Sequence, residues 1–193
     1  GSINMQQRNK VSKRRDLRIL FNSNSEWSHS GYGVFIGDLL PRLKKDGWNV
    51  AMSAFAGLSG GVIEHQGIPH YPVLQDPFGS DAIFHHARHY KANVVITMQD
   101  VWTLNQDFLN QLRQIKIPFI PYIPIDQSPI PPAILERLRF AYKIISFSKF
   151  GQKELEKSGF SSTMIWEGVD TNIFKPLNKL ECQKKFGLPQ GKF

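Results

Sequence analysis

The sequence predicts an α/β domain: a doubly wound, mostly parallel sheet with helices on both faces. Short apolar runs alternate with helical patterns almost throughout the chain. Several runs, Asn93 to Met98 among them, are apolar at nearly every position rather than at alternate ones, as strands covered on both faces must be. The 193 residues suffice for one well-buried domain and are short for two complete ones.

The first strand is Leu17 to Phe21. Tyr32 to Lys45 follows as a helix, because Val34, Phe35, Ile36, Leu39, Leu40 and Leu43 recur at helical spacing. Pro41 inside it is expected to kink or shift the helix, and Gly47 to end it. Trp48 to Phe55 is the second strand. Gly57 to Gly61 is a glycine-rich turn, with short strands at Val62 to Glu64 and His70 to Val73 arranged around it as a hairpin.

Ser80 to Tyr90 reads as a helix with Ser80 as its N-cap. The strand Asn93 to Met98 leads to a helix at Asn105 to Ile115, whose Phe108, Leu109, Leu112 and Ile115 share a side. Pro118 to Ile125 is a strand despite its prolines. Pro131 to Phe140 is a helix entered through two prolines, which a first turn tolerates. Lys143 to Phe147 is a strand, Lys149 to Lys157 a helix closed by Gly159, and Thr163 to Trp166 the last strand. No internal repeat or low-complexity segment interrupts this order. Beyond Phe174-Lys-Pro176 a new amphipathic unit opens at Leu180 to Phe186, as expected if the native polypeptide continues into another domain.

Composition narrows the class. Apolar residues are 41% and charged residues 21%, the balance of a soluble globular protein. No apolar run approaches the roughly 18 residues a membrane span needs, and the N-terminus lacks the apolar core of a signal peptide. Gly1-Ser2 resembles a cloning remnant. The single cysteine, Cys182, cannot form an internal disulfide, which suits a reducing cytoplasm; no His or Asn signature marks it as a nucleophile. The formal charge is +8, and Arg8, Lys10, Lys13, Arg14, Arg15 and Arg18 concentrate part of it near the N-terminus. Residues 1–16 read as a solvated tail or a contact for an anionic membrane surface. No nucleic-acid-binding module accompanies the charge.

The loop after the first strand, Ser23 to Ser30, leads into Gly31-Tyr-Gly33. In a doubly wound fold ligands bind beyond the C-terminal strand ends, where this loop lies. Glycine lets backbone approach a ligand, and a helix N-terminus offers unpaired N–H groups and partial positive charge to a phosphate. The loop is neither a dinucleotide fingerprint nor a Walker loop: the third glycine is displaced to Gly37, no acidic residue ends the second strand near Phe55, and no Gly-Lys-Ser/Thr occurs. A tight turn with no ligand remains the alternative. Asp100 and Trp102 follow a central strand and are expected at the cleft mouth, Asp100 either on an acceptor hydroxyl or as a cap. His85, His86 and His89 lie on the Ser80 to Tyr90 helix, His85 and His89 one turn apart, but no third ligand or Glu in register supports a metal site, and a solvated face is the expectation.

The stretch Ile165-Trp-Glu-Gly-Val-Asp-Thr-Asn-Ile-Phe-Lys-Pro176 resembles the segment that closes the N-terminal domain of retaining GT-B glycosyltransferases of the glycogen-synthase-like group. Ile145 to Gly151, the Gly-Tyr-Gly loop and the helix ending Leu-Lys-Lys-Asp-Gly47 are similar to other parts of that domain, so the resemblance covers most of residues 17–189. It implies transfer of a sugar from a nucleotide-sugar to an acceptor with retention at the anomeric carbon, no cofactor beyond that co-substrate, and a C-terminal lobe holding most of the donor. It implies domain limits of 17–176 for the acceptor-side domain and 177–193 for the linker and the start of the donor lobe. It implies donor-phosphate contacts at Gly31 and Gly33, to which proximity adds Ser30 and Tyr32. The family often carries a His at the end of a central strand; here the matching region is Tyr122 to Pro129, and Asp126 is the nearest polar candidate for a catalytic role, with a cap or turn as its alternative. Trp166-Glu167 precedes Gly168 where a His or Asn is common, and Glu167, Gly168 and Asp170 are expected at the interdomain hinge. Two other classes compete: a nucleotide-binding oxidoreductase or epimerase, disfavoured by the missing acidic residue, and a non-catalytic interaction module displaying Trp27 and Trp102.

Overall fold

A computed structural model describes residues 16–166 together with Asn178 and Lys184. The tail (1–15), the hinge residues Glu167, Gly168 and Asp170, and the segment at 180–186 apart from Lys184 lie outside the described residues.

Eight strands form one sheet: β1 (Arg18–Ser23), β2 (Asn49–Ala54), β3 (Ile63–His65), β4 (Ile68–Tyr71), β5 (Val94–Thr97), β6 (Phe119–Ile123), β7 (Ile145–Ser146) and β8 (Thr163–Met164). Their spatial order is β3-β4-β2-β1-β5-β6-β7-β8, and every neighbouring pair is parallel except β3 with β4. Five helices connect them: α1 (Gly31–Lys45), α2 (Ser80–Tyr90), α3 (Gln106–Gln114), α4 (Pro132–Leu138) and α5 (Lys149–Lys157). The expected fold class is the observed one.

The alternation of side chains along each strand divides the core between the two faces. Leu20, Ala51, Val95 and Phe119 stand in register across β1, β2, β5 and β6 and pack with Ile83 and Tyr90 of α2 and Phe108, Leu109 and Leu112 of α3. One residue further along, Phe21 and Met52 face the other way, against Ile36 and Leu40 of α1. Each such side chain taken fully out of water contributes about 1.5–3 kcal/mol before the entropy cost of ordering it. A third cluster, with Ile123, Leu138, Ile144 and Leu155, holds α4 and α5.

Several boundaries differ from expectation. Gly79, at φ 76°, is the N-cap of α2; Ser80 is its first helical residue, and its hydroxyl donates to Thr103 O and accepts from Asn105 N–H instead. The hairpin turns at Gln66-Gly67, both with positive φ, rather than at Gly57 to Gly61. Helix α1 runs through Pro41, and Val34, expected on its apolar face, is exposed. A single 3-10 turn at Val101–Thr103 was not foreseen.

The chain winds outward from β1 in both directions, to β2 and β4 on one side and to β5 through β8 on the other. The two loops flanking that reversal, after β1 and after β5, lie at the C-terminal edge of the sheet, where such folds bind ligands.

Candidate functional site

The loop from Asn24 to Ser30 is closed by its own hydrogen bonds. Ser30 is the N-cap of α1, its Oγ accepting from the Gly33 N–H at 3.0 Å. Asn24 Nδ2 donates to the same oxygen at 2.7 Å, and Ser28 Oγ donates to Ser25 O at 2.7 Å. The loop is also tied sideways: Ser25 N–H donates to Ala56 O, and the Trp27 indole N–H donates to Gly57 O. Glu26 reaches the hairpin, with Oε1 3.0 Å from His65 Nε2 and 3.5 Å from His70 Nε2, while the Trp27 ring packs on both imidazoles. Burial is the main cause that lowers the His70 pKa; Glu26 opposes it and a charge on His65 adds to it.

The two glycines of the loop therefore differ. A Cβ on Gly33 would lie 2.5 Å from Ser25 O, so this glycine is needed for the close approach of helix and loop. At Gly31 nothing lies within 4 Å of that position, and among the described residues no acceptor takes its N–H. Gly31 and Tyr32 line an open cavity of about 470 Å³ whose other walls are Pro124, Phe147 and Trp166, residues just past the C-terminal ends of β6, β7 and β8. Tyr122 stacks on Phe147 with ring centroids 4.3 Å apart, and its hydroxyl donates to Ile165 O at 2.6 Å, which fixes this wall.

Pro124 also borders a second hollow of about 170 Å³, where Asp100, Trp102, Asp126, Gln127 and Ile134 meet. The two aspartates, 26 positions apart in sequence, thus line one small pocket that shares Pro124 with the first cavity. Asp100 is the N-cap of the 3-10 turn by position, but its carboxylate makes no cap bond; its backbone carbonyl accepts from Thr103 N–H and Oγ1. Trp102 is 53% exposed and meets Phe78 edge-on, centroids 5.9 Å apart.

Next to the turn that carries Asp100 and Trp102 is a buried polar link. The Gln99 side-chain amide N–H donates to Asn22 Oδ1 and to Phe78 O, and Gln99 Oε1 accepts from Thr103 Oγ1 at 2.6 Å. Asn22 Nδ2 donates to Ser53 O at 3.1 Å. This network holds the ends of β1, β2 and β5 and the turn carrying Asp100 and Trp102 in one arrangement. The hydroxyls of Ser23 and Thr97, buried at the same strand ends, have no partner among the described residues. Asn22, Pro124 and Phe147 were missed in the sequence; the one local signal was polar Asn22-Ser23 and Thr97 closing otherwise apolar strands.

His89 Nδ1 shares a hydrogen bond with the Tyr71 hydroxyl, and His86, on the buried side of α2, bonds Ser53 Oγ at 2.8 Å. Among the described residues no group of three His, Cys, Asp or Glu is arranged to hold a metal, and no helix is long and apolar enough to cross a membrane.

The fold is that of a Rossmann-like α/β domain. A solved structure of sucrose-phosphate synthase from Thermosynechococcus elongatus is similar, with a TM-score of 0.51 at 15% sequence identity, over 80% of this chain and 90% of that one. A structure of an alpha-glucosyltransferase in complex with UDP and a mismatched 13-mer DNA matches with a TM-score of 0.49 at 14% identity; the similarity spans 81% of this chain and 42% of that one. No protein-family model matches the sequence, and no curated protein matches it.

Proposed function

We propose that this chain is the acceptor-side domain of a glycosyltransferase that moves a sugar from a nucleotide-sugar to an acceptor with retention of configuration. The observation that carries the reading is the unpaired Gly31 N–H at the mouth of α1, opening onto a cleft that adjoins the pocket of Asp100 and Asp126. A departing nucleoside diphosphate gathers negative charge, and a fixed helix-end amide stabilises it without reorganising. In this reading Gly31 and Tyr32 face the donor phosphates, whereas Ser30 and Gly33 hold the turn that aims them. Asp126 lies at the reacting centre. Asp100 accepts hydrogen bonds from acceptor hydroxyls, and Trp102 offers its ring to the acceptor. Glu167, Gly168 and Asp170 form the hinge to a lobe that holds most of the donor.

With the donor lobe supplying most contacts, this domain alone binds a nucleotide-sugar weakly, with Kd on the order of 1 mM. Amide NMR shifts during titration with UDP-glucose, GDP-mannose and NAD test the reading. Shifts at Gly31 and Tyr32 with a nucleotide-sugar, and none with NAD, are expected. Tighter binding of NAD than of either sugar nucleotide would favour the oxidoreductase class instead.

A further inference from the structure

The opposite edge of the sheet, where the chain enters β7 and β8, carries a larger cavity of about 500 Å³. Its floor is apolar, with Leu138, Ile144 and Phe160. Its rim is cationic and hydroxylic: Arg139 and Lys143 come from the segment between α4 and β7, Ser161 and Ser162 from the loop after α5, and Thr163 from the start of β8. Gly159, at φ 86°, turns the chain into that loop, and Gln152 Nε2 holds it by donating to Ser162 O at 3.0 Å.

Three features point to an anionic ligand. Neither the Arg139 nor the Lys143 side chain has an ion-pair or hydrogen-bond partner among the described residues, whereas nearby cations are engaged: Arg137 donates to Leu104 O and Ala133 O, and Arg113 lies over the Phe140 ring. Among the described residues the buried Ser162 hydroxyl has no partner, which costs free energy unless a shift of the loop lets something accept its proton. No carboxylate side chain lines the cavity. A phosphate is matched by this set of donors, since cation-to-phosphate hydrogen bonds are among the stronger ones. The volume is that of a small-molecule site, far more than a bare phosphate fills, and the apolar floor offers contact to a carbon skeleton.

We infer that this cavity binds a phosphorylated small molecule, its phosphoryl group between Arg139 and Lys143 with the Ser162 hydroxyl donating, and its ring over Leu138, Ile144 and Phe160. The site shares no residue with the cleft near Gly31, so it stands whether or not the chain is a glycosyltransferase.

Amide NMR titrations with a pentose phosphate, a nucleoside monophosphate and inorganic phosphate, at matched ionic strength, test it. At least one organic phosphate is expected to saturate at about 1 mM or below, more tightly than inorganic phosphate, shifting residues 142–144 and 161–163. Because both cations are exposed, Arg139→Gln with Lys143→Gln keeps the melting temperature while weakening binding about tenfold or more. Ser162→Ala weakens it less. Failure of both organic phosphates to saturate, equal affinity in the double variant, or equal affinity for inorganic phosphate overturns the inference. Shifts confined to Gly31 and Tyr32 also overturn it, while supporting the cleft.

Discussion

The α-carbon of Gly33 stands so close to Ser25 that an added Cβ would meet the Ser25 carbonyl oxygen at 2.5 Å, while the same addition at Gly31, two residues earlier, meets nothing within 4 Å. The neighbour at Gly33 is backbone, held by Ser28 N–H and Oγ, and cannot swing aside as a side chain would. Gly33→Ala should therefore cost about 1–3 kcal/mol, the usual range for overpacking a closed site. Gly31→Ala should be neutral or slightly stabilising, because alanine is the better helix former. Urea unfolding of the two variants checks the contrast. Equal stabilities would mean that the loop yields more readily than its hydrogen bonds imply.

The proposed donor contact is a backbone N–H, which ordinary side-chain substitution leaves in place. Gly31→Pro removes it. Gly31 is the first residue of α1, a position proline favours, and Ser30 before it has φ −116° and ψ 159°, the extended geometry that precedes proline. The fold should survive with its melting point little changed. Transfer by the protein joined to its donor lobe should fall about 10²–10³-fold, as for loss of one preorganised donor to a developing anion. Unchanged turnover would remove Gly31 from the reaction.

His86 makes stability fall in acid. It is 7% exposed, and burial is the main cause that lowers its pKa from 6.5 to about 4; positive charge on His85 or His89 adds to the effect and Asp81 opposes it. From the neighbouring strands it faces Ser53 and Tyr71, which are neutral in this range. Since the folded pKa lies below the unfolded one, the unfolded chain takes up the proton first. Stability is thus complete above pH 6.5, declines as pH falls from 6.5 toward 4, and the loss from this group ends below that. The total is about 3 kcal/mol. His86→Asn, which keeps a polar partner for Ser53, should flatten this limb in urea midpoints measured across pH. A limb of the same steepness would assign the acid sensitivity elsewhere, His70 being the next buried imidazole.

Asp126 is exposed, so Asp126→Asn should leave stability within about 0.5 kcal/mol of the parent. Its effect belongs to transfer alone if it works at the reacting centre: kcat drops with little change in donor KM. A matching loss of melting temperature would make it a turn residue.

What could be read from the sequence followed from how local each signal is. The strands at Leu17 to Phe21 and Asn93 to Met98 were legible because burial on both faces forces continuous apolarity. The stop at Gly47 was legible because hydrogen bonds within a few residues fix it, whereas the cap at Ser30 was not read. Ser80 was misread as a cap because its hydroxyl serves Thr103 and Asn105, more than 20 residues away. The hairpin turn was displaced because Gly57 to Gly61 has more glycine than Gln66-Gly67, although the latter supplies the two positive φ angles that a two-residue turn requires. Asp100, Asp126 and Gly31 could be assigned to one edge from topology alone. That Pro124 joins their two hollows, and that Phe147 and Trp166 close one of them, depends on which strand ends become neighbours.

The Asn22–Gln99 bond links residues 77 positions apart and supports the turn that carries Asp100 and Trp102. Gln99→Met keeps the volume and removes the donors and the acceptor, leaving Asn22 Oδ1 without this partner inside the core. The stability cost should be about 1–3 kcal/mol, the penalty for an unsatisfied buried group. Thr103 Oγ1 also donates to Asp100 O, so the 3-10 turn itself survives while its anchor to β1 is lost. Hydrogen exchange at residues 101–104 should accelerate more than exchange in β2, and any ligand bound through Asp100 should weaken without a change in diphosphate affinity at Gly31. Uniform acceleration across the sheet would instead make Gln99 an ordinary core residue, with Asp100 and Trp102 positioned by the packing of Val101 and Leu104 alone.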